Sequence, residues 1–230
     1  MLKAKPAIPS PFLQRQLTPL PGSVRGDAFQ YSGYSANSAL LRAVARKREL
    51  YIAPVETRYL RPIAKDLARW EEKNYEGPRK VGLIAAEMRQ HFAQAFMRSP
   101  MPRYRLVNRP GPNSVTLELN LLELNPTSVK GNIGKTVATF TVGPLAGLVG
   151  IFTSGSIAIE GRVRDSASGQ PVFQFADNEQ DKMTLYCARD FQPYGHARQA
   201  IKEWAGEFEL YTRGDNRWVW DSAFFTLKLW

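Results

Sequence analysis

Between Ser114 and Leu122, apolar and polar residues alternate without a break. Val115, Leu117, Leu119 and Leu121 are separated by Thr116, Glu118 and Asn120. A strand turns successive side chains to opposite sides, so this pattern predicts a strand with one buried and one wet face. A second run follows, with Ile157, Ile159 and Val163 set against Glu160, Arg162 and Arg164. Asp165-Ser-Ala-Ser-Gly169 then leads into Val172, Phe173 and Phe175, which reads as a hairpin. Two segments carry the other period. From Pro78 to Arg98, Val81, Ile84, Ala85, Met88, Phe92, Ala95 and Phe96 recur at three- and four-residue spacing, and Pro78 suits a first helical turn. From about Tyr194 to Tyr211, Ala197, Ala200, Ile201, Trp204 and Phe208 do the same.

Shorter elements fill the order. A basic helix is predicted from about Ser38 to Leu50, and a strand over Tyr51–Thr57 in which Pro54 requires an edge or a bulge. Arg61–Tyr75 is expected to be helical in part. Arg103–Asn108 is expected as a strand joined to the alternating one through Arg109–Asn113. Together these predict an α+β domain, a mainly antiparallel sheet covered on one face by two amphipathic helices.

Two stretches do not fit a simple domain. No charged residue lies between Lys135 and Glu160, and Thr136–Ser156 is interrupted by Gly143, Pro144, Gly147, Gly150 and Gly155. A bilayer-spanning helix needs a comparable uncharged length, but not this glycine and proline content. The surface must therefore be buried against something. After about residue 212 the chain is aromatic-rich. The division expected is an extended, Pro-rich arm over 1–27, one domain over 28–212 carrying an apolar insert at about 136–156, and an aromatic tail over 213–230. Val137, Phe140, Val142, Leu145, Leu148, Val149, Ile151 and Phe152 of the insert are the expected contacts with a partner or membrane. Trp218, Trp220, Phe224, Phe225 and Trp230 of the tail join them. The competing reading has both segments completing the domain's own core. The arm could lie along the folded surface through Ile8, Phe12, Leu13 and Leu17.

Charge narrows the partners. The 230 residues carry a net charge of +10, with a pI near 9.8, which favours an anionic neighbour. Arg42, Arg46, Arg103, Arg105 and Arg109 are the candidate contacts to an anionic surface. Arg103, Tyr104, Arg105 and Arg109 interleave charge with an aromatic, so a cytosolic nucleic-acid-binding module is the alternative function. One cysteine, Cys187, rules out an internal disulfide.

Catalytic chemistry is mostly declined. Gly134-Lys-Thr136 ends like a phosphate loop, but Val129 stands where the pattern needs its first glycine. Gly33-Tyr-Ser35-Ala-Asn37 begins like a nucleophile elbow, yet it lacks the closing glycine and shows no strand before it. His91 and His196 read as half-buried or capping residues, and two histidines with one cysteine make no recognisable zinc site. Glu118 and Glu123 are explained by a wet strand face. No catalytic residue, cofactor or metal is predicted.

Several stretches together resemble the DUF3313 family of uncharacterised bacterial lipoproteins. They are Leu50-Tyr-Ile-Ala-Pro-Val-Glu56, His91-Phe-Ala-Gln-Ala-Phe96, Asn108-Arg-Pro-Gly-Pro112, Gly155-Ser-Ile-Ala-Ile-Glu-Gly-Arg162 and Asp165-Ser-Ala-Ser-Gly169, with the closing helix around Trp204. The resemblance spans about Leu50 to Tyr211. It implies export, lipid attachment at an N-terminal cysteine and an envelope location, with no assigned activity. No cysteine lies near Met1, so the anchor is expected in a precursor whose leader precedes it. The expected protein is a non-catalytic accessory or assembly component on the periplasmic side, lipid-anchored to the outer membrane. Its expected partners are an envelope protein or a second copy, and an anionic membrane surface.

Overall fold

The computed structural model describes residues 10–13, 18–19, 31–62, 77–125, 156–180 and 194–213. Within these, the alternating runs become the long central strands. In chain order the elements are β1 (Thr18–Pro19), β2 (Tyr31–Tyr34), α1 (Ser38–Ala45), β3 (Glu49–Ile52), α2 (Gly77–Arg98) and β4 (Arg105–Leu106). Then come β5 (Ser114–Asn125), β6 (Ser156–Asp165), β7 (Pro171–Gln180) and α3 (Gly195–Arg213). They form an α+β fold with a seven-stranded sheet in the order β1-β2-β7-β6-β5-β3-β4. Most pairings are antiparallel, as expected, but β3 runs parallel to both β4 and β5, so the sheet is mixed.

The β5–β6–β7 meander is the backbone of the sheet. Its registers place Leu117 beside Val163, Leu121 beside Ile159, Gly161 beside Phe175 and Val163 beside Phe173. These residues share one face. Gly161 is required there, because a Cβ at that position would lie 2.0 Å from Phe175 Cζ. The Phe175 ring thus covers the glycine of the neighbouring strand.

The two long helices bury the faces that their spacing predicts. Ile84, Ala85, Met88, Phe92 and Phe96 of α2 are buried, as are Ala197, Ala200, Ile201, Trp204 and Phe208 of α3. Phe208 joins three elements, with ring centroids 5.9 Å from Phe92, 6.1 Å from Phe96 and 5.4 Å from Phe175. Tilted and edge contacts of this kind add to the area that each ring removes from water. Trp204, also buried, donates from Nε1 to Asp177 Oδ2 at 2.9 Å, so the indole brings its own polar partner into the core.

Local boundaries moved where tertiary pairing overrode propensity. The first helix stops at Ala45 rather than near Leu50. Asn37 caps its start by accepting from Leu40 N at 3.1 Å. Glu49–Ile52 is instead drawn into the sheet beside β5, which buries Leu50 and Ile52. Pro54 interrupts this edge-to-centre pairing without ending it. Ala53 N donates to Leu117 O and Glu56 N to Leu119 O, and the proline sits between them with no donor to offer. The strand expected over Arg103–Asn108 is only Arg105–Leu106. The helix expected within 61–75 lies mostly outside the described residues. The hairpin turn is as expected, with Gly169 at φ +69° and Asp165 Oδ2 accepting from Ser168 N and Oγ at 3.0 and 2.7 Å.

The second sheet face differs from its expectation. Asn120 and Glu160 point away from the aromatic side, yet both are fully buried rather than wet. Part of the reason is the turn at Ser10–Leu13, which packs on that face and buries Phe12 and Leu13.

Candidate interaction surfaces

The β5–β6 ladder gives the molecule two ends. It runs from Val115 paired with Asp165 to Asn125 paired with Ser156, a span of about 35 Å at ordinary strand rise. At the second end the chain leaves the sheet at Asn125 and re-enters it at Ser156. Asn125 Nδ2 donates to Ser156 Oγ and to Glu123 Oε1, each at 2.8 Å, and Ser156 Oγ donates to the same carboxylate. Arg61 lies 4.0 Å from the other Glu123 oxygen. A small polar clasp therefore closes the base of the excursion. Residues 126–155 fall outside the described residues, and with them Val137, Phe140, Val142, Leu145, Leu148, Val149, Ile151 and Phe152. Trp218, Trp220, Phe224, Phe225, Trp230, Cys187 and the Gly134-Lys-Thr136 sequence lie outside them too.

The opposite end is cationic. Lys47 is anchored there, donating to Ser114 O at 3.2 Å and pairing with Asp165. Burial alone would raise the Asp165 carboxyl. The Lys47 hydrogen bond, the Ser168 hydrogen bonds and the Lys47 charge outweigh it and hold the group below its ordinary 3.8. Around this anchor, Arg46, Lys47, Arg48, Glu49, Ala43 and Asn113 line an open groove. Arg42, Arg46 and Arg109 are exposed, and none has a carboxylate within ion-pair distance among the described residues. Arg105, also exposed, pairs with Glu49 at 2.6 Å across the β3–β4 edge.

Arg103 has a different job. It donates to Ala45 O at 3.1 Å and to Thr212 O at 3.5 Å, tying the C-terminal ends of α1 and α3 together. Cations suit helix C-termini, where carbonyls lack partners. Tyr104 is buried against Phe96, with ring centroids 6.4 Å apart, so it offers no open face for a nucleic-acid base. The interleaved charge and aromatic thus separate into a structural pair and an exposed set.

A third feature escaped the sequence pattern. Glu160 accepts from Ser10 N at 2.6 Å, from Ser10 Oγ at 2.5 Å and from Asn120 Nδ2 at 2.8 Å. Beside it Arg162 donates to Phe12 O at 2.9 Å, pairs with Glu118 and stands 4.6 Å over the Phe12 ring. Ser10 and Glu160 are 150 positions apart, and nothing in either local pattern links them.

The two histidines meet different carboxylates. Burial lowers the His91 pKa below 6.5, and Lys202, Arg98 and Arg198 reinforce the shift against Glu87. His196 Nε2 lies 4.0 Å from Glu179 Oε2. A strand, β2, does precede Ser35, contrary to expectation, but Asn37 is spent capping α1 and its N–H donates to Ser35 Oγ at 3.2 Å. Among the described residues no group of three or more His, Cys, Asp or Glu side chains is placed to hold a metal ion. Among them, too, no helix is long and apolar enough to cross a membrane.

No curated protein matches the chain. Among solved structures, the PelC dodecamer from Paraburkholderia phytofirmans is similar at 8% identity and TM-score 0.39, covering 73% of this chain and 91% of that one. A hypothetical protein from Chlamydia trachomatis matches at 14% identity and TM-score 0.41, covering 73% of this chain and 99% of that one. A protein from Xanthomonas campestris matched to the DUF330 family model has 12% identity and TM-score 0.39, covering 74% and 88% respectively. The family model described as a protein of unknown function, DUF3313, matches residues 40–208, well over half of the 230 residues, and the chain belongs to that family.

Proposed function

We propose that this protein is a non-catalytic accessory component of the bacterial envelope that docks an envelope protein or a second copy of itself through the segment between β5 and β6. In this reading α2 and α3 serve as the cover of one sheet face, and the tail after α3 adds contact area. The N-terminal arm, pinned to the sheet at Ser10–Leu13 and Thr18–Pro19, links the domain to an anchor in the outer membrane, on the periplasmic side.

The observation that carries the proposal is the clasp at Asn125 and Ser156. Adjacent antiparallel strands can be joined by two residues. Here residues 126–155 intervene between partners on one rung, and the segment is uncharged after Lys135. Uncharged length of that kind is costly in water unless it is covered. A cover supplied by another chain accounts for both its composition and its place at one end of the sheet.

Replacing residues 126–155 by Asn-Gly tests it. The shortened chain should melt at nearly the same temperature, while its self-association by light scattering, or its chemical crosslinking to envelope proteins in cells, disappears. Loss of the fold on shortening would assign the segment to the domain's own core instead. Recovery of the native protein only from cytosol would remove the envelope part of the reading.

A further inference from the structure

The cationic end is a second, separate surface, and we infer that it binds the headgroup layer of an anionic phospholipid bilayer. This inference stands independently of docking through residues 126–155, which leave the sheet at the far end of the β5–β6 ladder.

The charge there is one-sided. No acid occurs between Asp27 and Glu49 or between Glu87 and Glu118, and both stretches converge on this end. Arg103 brings them together through Ala45 O, and Arg105 through Glu49. Lys47 is consumed by Asp165, and Arg48 turns back to Ala45 O at 3.0 Å and Lys47 O at 3.1 Å. That leaves Arg42, Arg46 and Arg109 exposed, with no internal carboxylate to satisfy.

Apolar side chains accompany them. Met97 and Met101 are 66% and 74% exposed, at the C-terminal end of α2 and in the loop leading to Arg103. Of the three large hydrophobic residues exposed among the described ones, only Leu83 lies elsewhere on α2. Arginines interspersed with exposed methionines match a lipid interface, where the charge meets phosphate and the apolar tips reach the acyl boundary. A single-stranded nucleic acid would call for an exposed stacking ring, and Tyr104 is buried. The aromatic tail also starts here, since Arg103 holds Thr212 at the end of α3.

Co-sedimentation of the full chain with vesicles supplies the test. Vesicles of 30% phosphatidylglycerol in phosphatidylcholine should bind it at 0.1 M salt, and pure phosphatidylcholine should not. Arg42→Ala with Arg46→Ala should weaken binding about 25-fold, since each basic residue near an anionic surface contributes about fivefold. Their melting temperature should not change, because neither side chain makes an ion pair among the described residues. Arg58→Ala with Lys80→Ala, an equal loss of charge away from this end, should leave binding as it was. Equal binding to neutral vesicles, or equal loss in the Arg58 and Lys80 double variant, overturns the inference. So does retention of single-stranded DNA without retention of vesicles. The chain shortened at 126–155 should still bind vesicles; if it is folded and does not, the membrane contact is the insert and not this end.

Discussion

The two faces of the β5–β6–β7 meander are built from the same three strands and stabilised in opposite ways. One carries Leu117, Leu119, Leu121, Ile159, Phe173 and Phe175, and meets α3 through Phe208 and Trp204. The other carries Glu118, Asn120, Glu160 and Arg162, and meets the Ser10–Leu13 turn. On the first face the gain comes from area removed from water, and many alternative packings would score similarly. On the second, a buried carboxylate is tolerable only with all its donors in place, so one arrangement is selected. The apolar face supplies stability, and the polar face specifies where a remote stretch of chain must lie.

That contrast can be broken most forcefully at Trp204. Trp204→Ala empties the joint between α3 and β7 and should cost about 3–5 kcal/mol, read as a lower urea midpoint. Next comes Gly161→Ala, whose methyl would strike the Phe175 ring. It should cost about 2–3 kcal/mol, and Phe175→Leu in the same chain should recover much of the loss. If Gly161→Ala alone is neutral, the ring does not rest on the glycine.

On the polar face, Glu160→Ala leaves Ser10 and Asn120 without their acceptor and should cost about 1–2 kcal/mol. Its diagnostic effect is local. Amide exchange at Phe12 and Leu13 should speed up far more than exchange in α3, and uniform acceleration would refute the division between the faces.

The smallest effect concerns pH. Asp165 and His91 both have folded pKa values below their ordinary 3.8 and 6.5, so the unfolded chain binds protons more readily at each. Stability contributed by these groups is present above those ordinary values and lost as pH falls through the folded ones. A shallow decline should begin below about 6.5, with a further loss below about 3.8 that Asp165→Asn removes. A decline that Asp165→Asn leaves unchanged would detach the Lys47 anchor from acid sensitivity.

The periodic segments were legible in the sequence because each carries its own evidence. Met88 and Phe92 fall on one helical stripe whatever lies beyond it, and Leu117 and Leu119 alternate regardless of their neighbours. The Gly169 turn was equally local. What required the tertiary structure were contacts whose partners are far apart in the chain. Asn120 and Glu160 looked wet because alternation reports only which side a residue faces, not what covers that side. Leu50 looked helical because the preceding basic run is, until pairing with Val115 outweighed that preference.

The same distinction divides the candidate surfaces. Composition and the order of the hydrophobic patterns determined that the chain is strongly basic, that 136–156 is uncharged and that the fold is α+β with a largely antiparallel sheet. Only the folded chain decided which arginines are spent. Arg103 is held on helix ends and Arg105 on Glu49, while Arg42, Arg46 and Arg109 remain open. It also decided that the insert and the basic cluster leave from opposite ends of one ladder. Charge is a property of residues, but its availability depends on what lies within hydrogen-bonding distance, and that distance is set by tertiary contact.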